Sequence, residues 1–230
     1  MEIEAIFFDV GNTLFFYNYD FLRGLLADRF GVNVNVAELA EVHREVQRAV
    51  MAEGVADAGQ EVLWRETYRR WLTRVGVDAD RIDDVMGAIR THPFRHLFWT
   101  HMEEGTREML DWFRERGVKL GVISNAEGQI RRLLEHVGLD ARFDVIADSA
   151  VVGAAKPGAE IFRFALDAVG VAPERSVHVG DLYEIDVLGA RGAGLTPVLV
   201  DPEGKSLQGE CLTVRRAIDL PTLTIFAGLA

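Results

Sequence analysis

The stretch Glu4-Ala5-Ile6-Phe7-Phe8-Asp9-Val10-Gly11-Asn12-Thr13-Leu14 begins with an apolar run and continues into an acidic residue, a glycine and a turn. A run that is apolar on both faces is typical of a central strand in a parallel sheet. Further runs of this kind follow at 118–123, 143–146, 176–179 and 196–200. We therefore predict that the first stretch supplies the first strand of a parallel sheet.

Helical patterns separate these later runs, at about 104–116, 126–138, 158–170 and 184–193. A chain that alternates strand and helix predicts an α/β fold with a doubly wound, Rossmann-like parallel sheet. Such sheets place their chemistry at the carboxyl ends of the strands, so the residues that follow each run are the candidates for a site.

The region between the first strand and the next one has a different pattern. Four amphipathic stripes occur there with helical spacing, and no convincing strand interrupts them. The stripes are Phe21, Leu22, Leu25, Leu26 and Phe30; Leu39, Val42, Val46, Ala49 and Val50; Trp64, Tyr68, Trp71, Leu72 and Val75; and Ile82, Val85, Met86 and Ile89. We predict a catalytic core formed by 1–14 and 99–230, with a helical cap at 15–98 inserted into it.

Composition limits the function classes. The 230 residues include 25 Lys and Arg against 36 Asp and Glu, which gives a net charge of −11 and argues against a nucleic-acid partner. No apolar run is long enough to predict a membrane span, and the N-terminus lacks a signal-peptide pattern, so we expect a cytoplasmic protein, monomeric or homodimeric. The single cysteine, Cys211, permits no intrachain disulfide, and the Leu-Thr-Val that follows it predicts a buried strand.

Polar residues follow four of the predicted strands. Asp9 lies before the glycine turn, and an Asp at that point suits a nucleophile or a metal ligand. Ser124-Asn125 combines a hydroxyl with a helix start, which suits an anion, although a simple helix cap is commoner. Lys156 precedes Pro157, in a chain with only three lysines, and could neutralise a phosphoryl group. Each of these residues could also be an ordinary turn, cap or surface residue.

The fourth position holds two carboxylates five residues apart, Asp181 and Asp186, after Gly180. They suit a hard cation such as Mg²⁺, although an N-cap and an exposed helix residue would give the same pattern. Taken singly these signals are weak. Their order along the chain, with one after each strand and a helical insert after the first, is much more specific.

As a set, these motifs resemble the haloacid dehalogenase superfamily. The resemblance rests on 9–14, 123–125, 156–157 and 180–195, and covers the core, whereas the insert matches only in type. It implies that Asp9 is a nucleophile that forms an aspartyl-phosphate. It further implies that Ser124 bonds a phosphoryl oxygen, that Lys156 bridges the nucleophile and the phosphoryl group, and that Thr13 and Asn125 contact substrate. Mg²⁺ would be bound by Asp9, the Gly11 carbonyl and Asp181, with Asp186 supporting it through water.

One position departs from the family pattern. Phosphatases that this chain resembles usually carry an acid–base Asp two residues after the nucleophile, where this chain has Gly11. Such a group is typically worth ~10²–10⁴ in rate. A replacement donor could come from the insert or its hinges, and an acyl or anomeric phosphate would need none. The candidate donors are Tyr17, Tyr19, Asp20, His43, His92, His96 and His101, although we expect all six histidines of the chain to be surface or packed residues.

The sequence therefore predicts a Mg²⁺-dependent, phosphatase-like hydrolase of a small phosphorylated metabolite. A 2-haloacid dehalogenase is the first alternative, disfavoured because Asp181 is retained where dehalogenases that this chain resembles lack a carboxylate. A non-catalytic protein that binds a phosphorylated ligand is the second, since Gly11 replaces the usual acid–base residue. The absence of lysine from 15–98 argues against a phosphonatase, which uses a cap lysine.

Overall fold

The computed structural model describes residues 3–55, 60–202, 204 and 211–229. Within these residues six strands form one parallel sheet in the order β3-β2-β1-β4-β5-β6. The strands are β1 (Ala5–Phe8), β2 (Lys119–Ser124), β3 (Val145–Asp148), β4 (Ser176–Gly180), β5 (Thr196–Val200) and β6 (Leu212–Val214). The sheet confirms the predicted α/β, Rossmann-like fold.

Helices occupy the connections between the strands. Those of the described chain are α1 (Tyr19–Phe30), α2 (Val36–Ala52), α3 (Gln60–Arg74), α4 (Ile82–Arg90), α5 (Thr106–Glu115), α6 (Ile130–Val137), α7 (Ser149–Val152), α8 (Ala159–Val169) and α9 (Leu188–Gly192). The helical pattern predicted at 184–193 is correct in place but begins with a π-helical turn, Tyr183–Val187, before α9. The short helix α7 was not predicted, because four residues are too few to show a period.

Strand β1 lies at the point where the order of the sheet reverses. It pairs with β2 on one side and β4 on the other, so that Phe8 lies opposite both Val122 and Val179. The loops after β1, β2 and β4 consequently leave the same edge of the sheet side by side. This arrangement brings together polar residues that are more than 100 positions apart in sequence.

Apolar side chains cover both faces of the sheet. Ile6 and Phe8 belong to the buried cluster that includes α5 and α6, whereas Ala5 and Phe7 belong to the cluster that includes α8. Gly121 in β2 allows this packing, because a Cβ there would lie 2.5 Å from the Phe7 ring and 2.7 Å from Val145. All four residues of β1 are buried, as expected for a central parallel strand.

The predicted strand after Cys211 is β6, which lies at the edge of the sheet. Its burial was predicted wrongly, because an edge strand is covered less: Cys211 is half-buried and precedes the strand, and Thr213 is exposed. After β5, the Gly204 amide donates to the Asp201 carbonyl and side chain and so closes a turn, while residues 203 and 205 lie outside the described residues.

Residues 18–98 form a separate compact unit, and the other unit comprises the residues up to 17 and from 99 onwards. The four predicted stripes lie on α1 to α4, except that Val75 follows the last residue of α3. The buried residues of these stripes include Leu22, Leu26, Leu39 and Ile82. Trp71 is fully buried and donates from its indole nitrogen to the Leu39 carbonyl at 3.0 Å. No helix of the described residues is long and apolar enough to cross a bilayer.

Candidate active site

The loop after β1 presents Asp9 at the edge of the sheet. Its backbone amide donates to the Val179 carbonyl at 2.8 Å, which fixes the loop to β4. Asn12 then adopts a left-handed conformation with φ of 53°, which asparagine tolerates better than most residues. The amides of Leu14 and Phe15 both donate to the Val10 carbonyl, and the resulting tight turn holds the Asp9 carboxylate in a buried position with 8% of its surface exposed.

Lys156 is the cation at the centre of the site. Its ammonium donates to Asp9 Oδ1 and to Asp186 Oδ1, in both cases at 2.6 Å, and its side chain is 2% exposed. Burial alone would lower the pKa of the Lys156 ammonium, but Asp9 and Asp186 outweigh burial and raise it above its ordinary value. The lysine is therefore a fixed positive charge, which supports the prediction that it compensates anions here.

Asn125 holds the backbone of Lys156 in place. Its side-chain nitrogen donates to the Lys156 carbonyl at 2.9 Å, and its side-chain oxygen accepts from the Lys156 amide at 2.8 Å. This pair of bonds ties the loop after β2 to the lysine loop. The predicted role of Asn125 in contacting substrate stays a prediction, and its observed contacts are with Lys156.

Asp186 is bound on both of its oxygens by the protein. Oδ1 accepts from Lys156 and lies 2.9 Å from His178 Nε2, while Oδ2 accepts from the Leu182 amide at 3.0 Å. Burial would raise the pKa of the Asp186 carboxyl, but Lys156 and the His178 hydrogen bond hold it below its ordinary value. Gly180 makes room for this carboxylate, since a Cβ there would lie 2.2 Å from its carbon.

His178 is the site residue that sequence reasoning missed. It lies in β4 with no exposed surface, and its ring packs perpendicular to the Phe162 ring, with centroids 5.1 Å apart and an interplanar angle of 88°. Because ionised Asp186 can only accept, Nε2 carries the proton, and Nδ1 has no hydrogen-bond partner among the described residues. His178 is buried, as the expectation of surface or packed histidines allows. The apolar run 176–179 gave no sign that its imidazole bonds to Asp186, eight positions further on.

Asp181 is the third carboxylate of the cluster. Its Oδ2 accepts from the Asn12 side chain at 3.3 Å. Burial, together with the nearby Asp9 and Asp186, raises the pKa of the Asp181 carboxyl well above its ordinary value. Burial likewise raises the pKa of Asp9, although Lys156 opposes the change. Three carboxylates thus share one ammonium, which leaves a local excess of negative charge.

This donor set fits a hard divalent cation. Asp9, Asp181 and the Gly11 carbonyl are oxygen ligands of the type that Mg²⁺ prefers, and Mg²⁺ usually keeps several waters, so few protein ligands suffice. Among the described residues, no group of three or more His, Cys, Asp or Glu side chains is arranged so that these side chains alone could hold a metal ion. Asp186, with both oxygens bound to protein donors, is suited only to the indirect, water-bridged support that was predicted for it.

Two predicted hydroxyl residues are buried where β1 and β2 end. Ser124 ends β2 in a buried position, and Thr13 is buried in the turn that follows Asp9. The Thr13 hydroxyl has no hydrogen-bond partner among the residues that the structure describes. A further residue, Asp148, was not predicted: its carboxylate accepts from the amides of Gly128 and Ala150 and so shapes the loop after Ser124.

The candidate acid–base residues are distributed over both units. Tyr19, Asp20, His43, His92 and His96 belong to the unit 18–98. Of these, His43 stacks on Trp71 and bonds to Tyr19, and burial and Arg44 lower its pKa to about 3. A histidine that stays neutral at ordinary pH does not supply a proton. Tyr17 and His101 belong to the other unit, where Tyr17 is buried and His101 is exposed.

Comparison with known proteins agrees with this geometry. The family model of the haloacid dehalogenase-like hydrolases matches residues 3–194. The glyceraldehyde 3-phosphate phosphatase of Methanothermobacter thermautotrophicus is 30% identical over 207 residues, which cover 87% of either chain. The pyrimidine 5'-nucleotidase YjjG of Escherichia coli is 30% identical over 206 residues, covering 85% of this chain and 84% of YjjG.

Solved structures show the same fold. The HAD-hydrolase YfnB of Bacillus subtilis, bound to magnesium, superposes with a TM-score of 0.73 at 18% identity, covering 96% of this chain and 98% of YfnB. A 2-haloacid dehalogenase of Pseudomonas syringae superposes with a TM-score of 0.59 at 24% identity, covering 99% of this chain and 100% of that structure. The family model, the relatives and the charged cluster at the sheet edge lead to one conclusion: the chain belongs to the haloacid dehalogenase-like hydrolase family.

Proposed function

We propose that this hydrolase is a Mg²⁺-dependent phosphatase of a small phosphorylated metabolite, with Asp9 as the nucleophile. The observation that carries the proposal is the position of the Lys156 ammonium, 2.6 Å from Asp9 Oδ1 at the edge of the sheet. An anionic phosphoryl group approaches an anionic carboxylate only where cations compensate both charges. Relatives that are named as a phosphatase and as a nucleotidase support the same choice.

In this proposal Asp9, the Gly11 carbonyl and Asp181 hold the metal, and Asp186 supports it through water. When bound, Mg²⁺ neutralises phosphoryl charge and orients the group for attack. The Asp9 carboxylate attacks phosphorus, the bond to the leaving group breaks, and water then releases phosphate and regenerates the carboxylate. Ser124 and Thr13 donate their hydroxyls to phosphoryl oxygens, and Lys156 holds its charge beside the reacting atoms.

We also propose that the unit 18–98, predicted at 15–98, acts as a cap that sets substrate specificity. A mobile or closing element of this type excludes water and selects the leaving group. The expected partner is therefore a small phosphorylated molecule rather than a nucleic acid or a membrane. A cytoplasmic location remains a prediction that cell fractionation would test. A monomeric or homodimeric state remains a prediction that size-exclusion chromatography would test.

The test of the proposed function is phosphate release from a panel of phosphate esters and acyl phosphates, with Mg²⁺ or with EDTA. We expect release to require Mg²⁺ and to fall by at least about 10⁴-fold in Asp9→Asn, because this change removes the nucleophile and leaves the shape intact. Asp167→Asn is the matched control, since Asp167 is exposed on α8. A substantial rate in Asp9→Asn would remove Asp9 from the nucleophile role.

The alternatives give different results in the same preparation. Halide release from 2-haloacids without Mg²⁺ would identify a dehalogenase. Mg²⁺-dependent binding of a phosphorylated compound without turnover would identify a ligand-binding protein. Phosphate release that depends on both Mg²⁺ and Asp9 excludes each of these as the principal activity.

A further inference from the structure

The backbone conformation does not explain why residue 11 is a glycine. The glycines of this chain with left-handed φ values do not include Gly11, so its conformation is open to other residues. A Cβ at this position would point at the indole of Trp99, at 3.4, 3.6 and 3.9 Å from three carbons of its six-membered ring. A methyl group at this position would therefore lie in ordinary van der Waals contact with the ring, and a longer side chain would either pack against the ring or turn away from it.

The Trp99 ring is held in place by its own unit. The ring of the buried Tyr17 meets it edge to face, with centroids 5.3 Å apart and an interplanar angle of 76°. Trp99 also packs against the apolar cluster that contains Phe8, Val10 and Leu14. Because packed aromatic pairs keep defined geometries, displacing this ring would disturb the turn that carries Asp9.

The surface that Trp99 offers beside Gly11 is hydrocarbon. The three contacting atoms are Cε3, Cζ3 and Cη2, whereas the indole N–H belongs to the other ring. The nearest charged donor to Asp9, the Lys156 ammonium, already donates to two carboxylates. Two residues from the nucleophile, the site therefore has a wall that can neither give a proton to a leaving oxygen nor take one from water.

We infer that Trp99 and Gly11 adapt this site to acyl phosphates, whose leaving group departs as a carboxylate and requires no proton. This inference rests on the proposed function and names its substrate class. The Asp9 oxygen forms a bond to phosphorus, the bond from phosphorus to the acyl oxygen breaks, and the electron pair leaves with the carboxylate. Water then bonds to phosphorus, the electron pair of the Asp9–phosphorus bond returns to Asp9, and the proton of water passes to phosphate or solvent.

The experiment compares kcat/KM, with Mg²⁺, for acetyl phosphate, a series of substituted phenyl phosphates and glycerol phosphate. We expect acetyl phosphate to exceed glycerol phosphate by at least about 10⁴-fold and the phenyl phosphates to follow leaving-group acidity steeply, because general acid help worth ~10²–10⁴ is missing. Glycerol phosphate turned over within about tenfold of acetyl phosphate would overturn the inference and leave the proposed phosphatase intact.

A paired variant separates the wall from intrinsic substrate reactivity. Trp99→Ala with Gly11→Asp provides both the space and the acid, and should reduce the preference for acetyl phosphate over glycerol phosphate by at least about tenfold. Trp99→Ala alone should keep the preference for acetyl phosphate, and a folded double variant that also keeps it would overturn the inference. If the double variant does not fold, the substrate series measured on the wild type decides alone. Absence of Asp9-dependent release from every compound overturns the proposed function itself.

Discussion

Two histidines are buried in this molecule, one in each compact unit, and their surroundings differ. His178 in β4 lies 2.9 Å from the Asp186 carboxylate, which is bonded in turn to Lys156. His43 in α2 stacks on Trp71 with ring centroids 3.9 Å apart and bonds to the Tyr19 hydroxyl at 3.0 Å. The first histidine belongs to a network of charges, and the second to a cluster of aromatic rings.

The comparison shows that burial alone does not distinguish a site residue from a packing residue. What differs is the chain of partners: from His178 three polar contacts lead to the proposed nucleophile, whereas the described contacts of His43 stay among aromatic residues of its own unit and Arg44. Changes in the charged network should therefore affect turnover, and changes in the aromatic cluster should affect stability.

Among the changes that test this comparison, Lys156→Met is expected to have the largest effect. Turnover should fall by about 10³-fold or more, because the compensating charge beside the reacting group is lost. The raised pKa values of Asp9 and Asp181 should rise further in this variant. A carboxyl group that binds its proton more tightly in the folded state stabilises that state at low pH, and this contribution is lost as pH rises. Urea unfolding at pH 5.5 and pH 8, measured as the variant minus wild type, checks this. Lys119→Met, at an exposed lysine, should change neither quantity.

The next largest effect, on kcat, is expected when the two histidines are replaced in turn. His178→Ala should lower kcat by about 10–100-fold with little change in KM, because Asp186 loses the donor that positions it. His178→Gln, which keeps a donor, should recover part of the rate. His43→Ala should leave kcat within about twofold while it lowers the urea midpoint. Equal losses of kcat in both alanine variants would remove the distinction between the two clusters.

The pH dependence of stability gives a smaller effect, specific to His43. Its pKa is lowered from 6.5 to about 3, mainly by burial, so the unfolded chain binds a proton in this range and the folded chain does not. Stability should fall by up to about 1.4 kcal/mol for each pH unit below about 6.5. His43→Phe should remove this slope, whereas Tyr19→Phe, which keeps the histidine, should retain it. A wild-type slope unchanged in His43→Phe would assign it to other groups.

The smallest effect concerns Thr13, whose buried hydroxyl has no partner among the described residues. Thr13→Val removes that polar group and should be neutral or stabilising by up to about 1 kcal/mol. If the hydroxyl binds a phosphoryl oxygen, kcat/KM should fall about tenfold, which corresponds to 1.4 kcal/mol. Thr13→Ser should preserve kcat/KM. An unchanged kcat/KM in Thr13→Val would argue against the predicted contact with substrate.

Much of the fold could be predicted because its signals are local. Apolar runs such as 5–8 and the stripes of α1 to α4 depend on residues within a few positions of one another. The candidate positions Asp9, Ser124, Lys156 and Asp181 could be predicted because parallel strands place their carboxyl ends at one edge. The structure brings Asp9, Lys156, Asp181 and Asp186 into one cluster, with Ser124 at the end of the neighbouring strand.

The features that sequence reasoning missed depend on distant contacts. The bond from His178 to Asp186 requires the chain to turn back through a π-helical turn that no periodicity reveals. The Trp99 ring beside Gly11 joins residues 88 positions apart, so the glycine appeared as a missing acid rather than as space for an indole. Strand β6 has only three residues, which is too few for the sequence to show that it lies at the exposed edge of the sheet.

The buried position of Lys156 also has a use in chemical labelling. Amine-acylating reagents attack a neutral, accessible amine, and Lys156 is shielded from solvent and held in its charged form, whereas the Lys119 side chain is 53% exposed in the same unit. Mass spectrometry of the Lys156 peptide, normalised to the Lys119 peptide, would therefore report opening of the charged cluster around Lys156 in a protein that has only three lysines. Such a readout requires neither a substrate nor turnover.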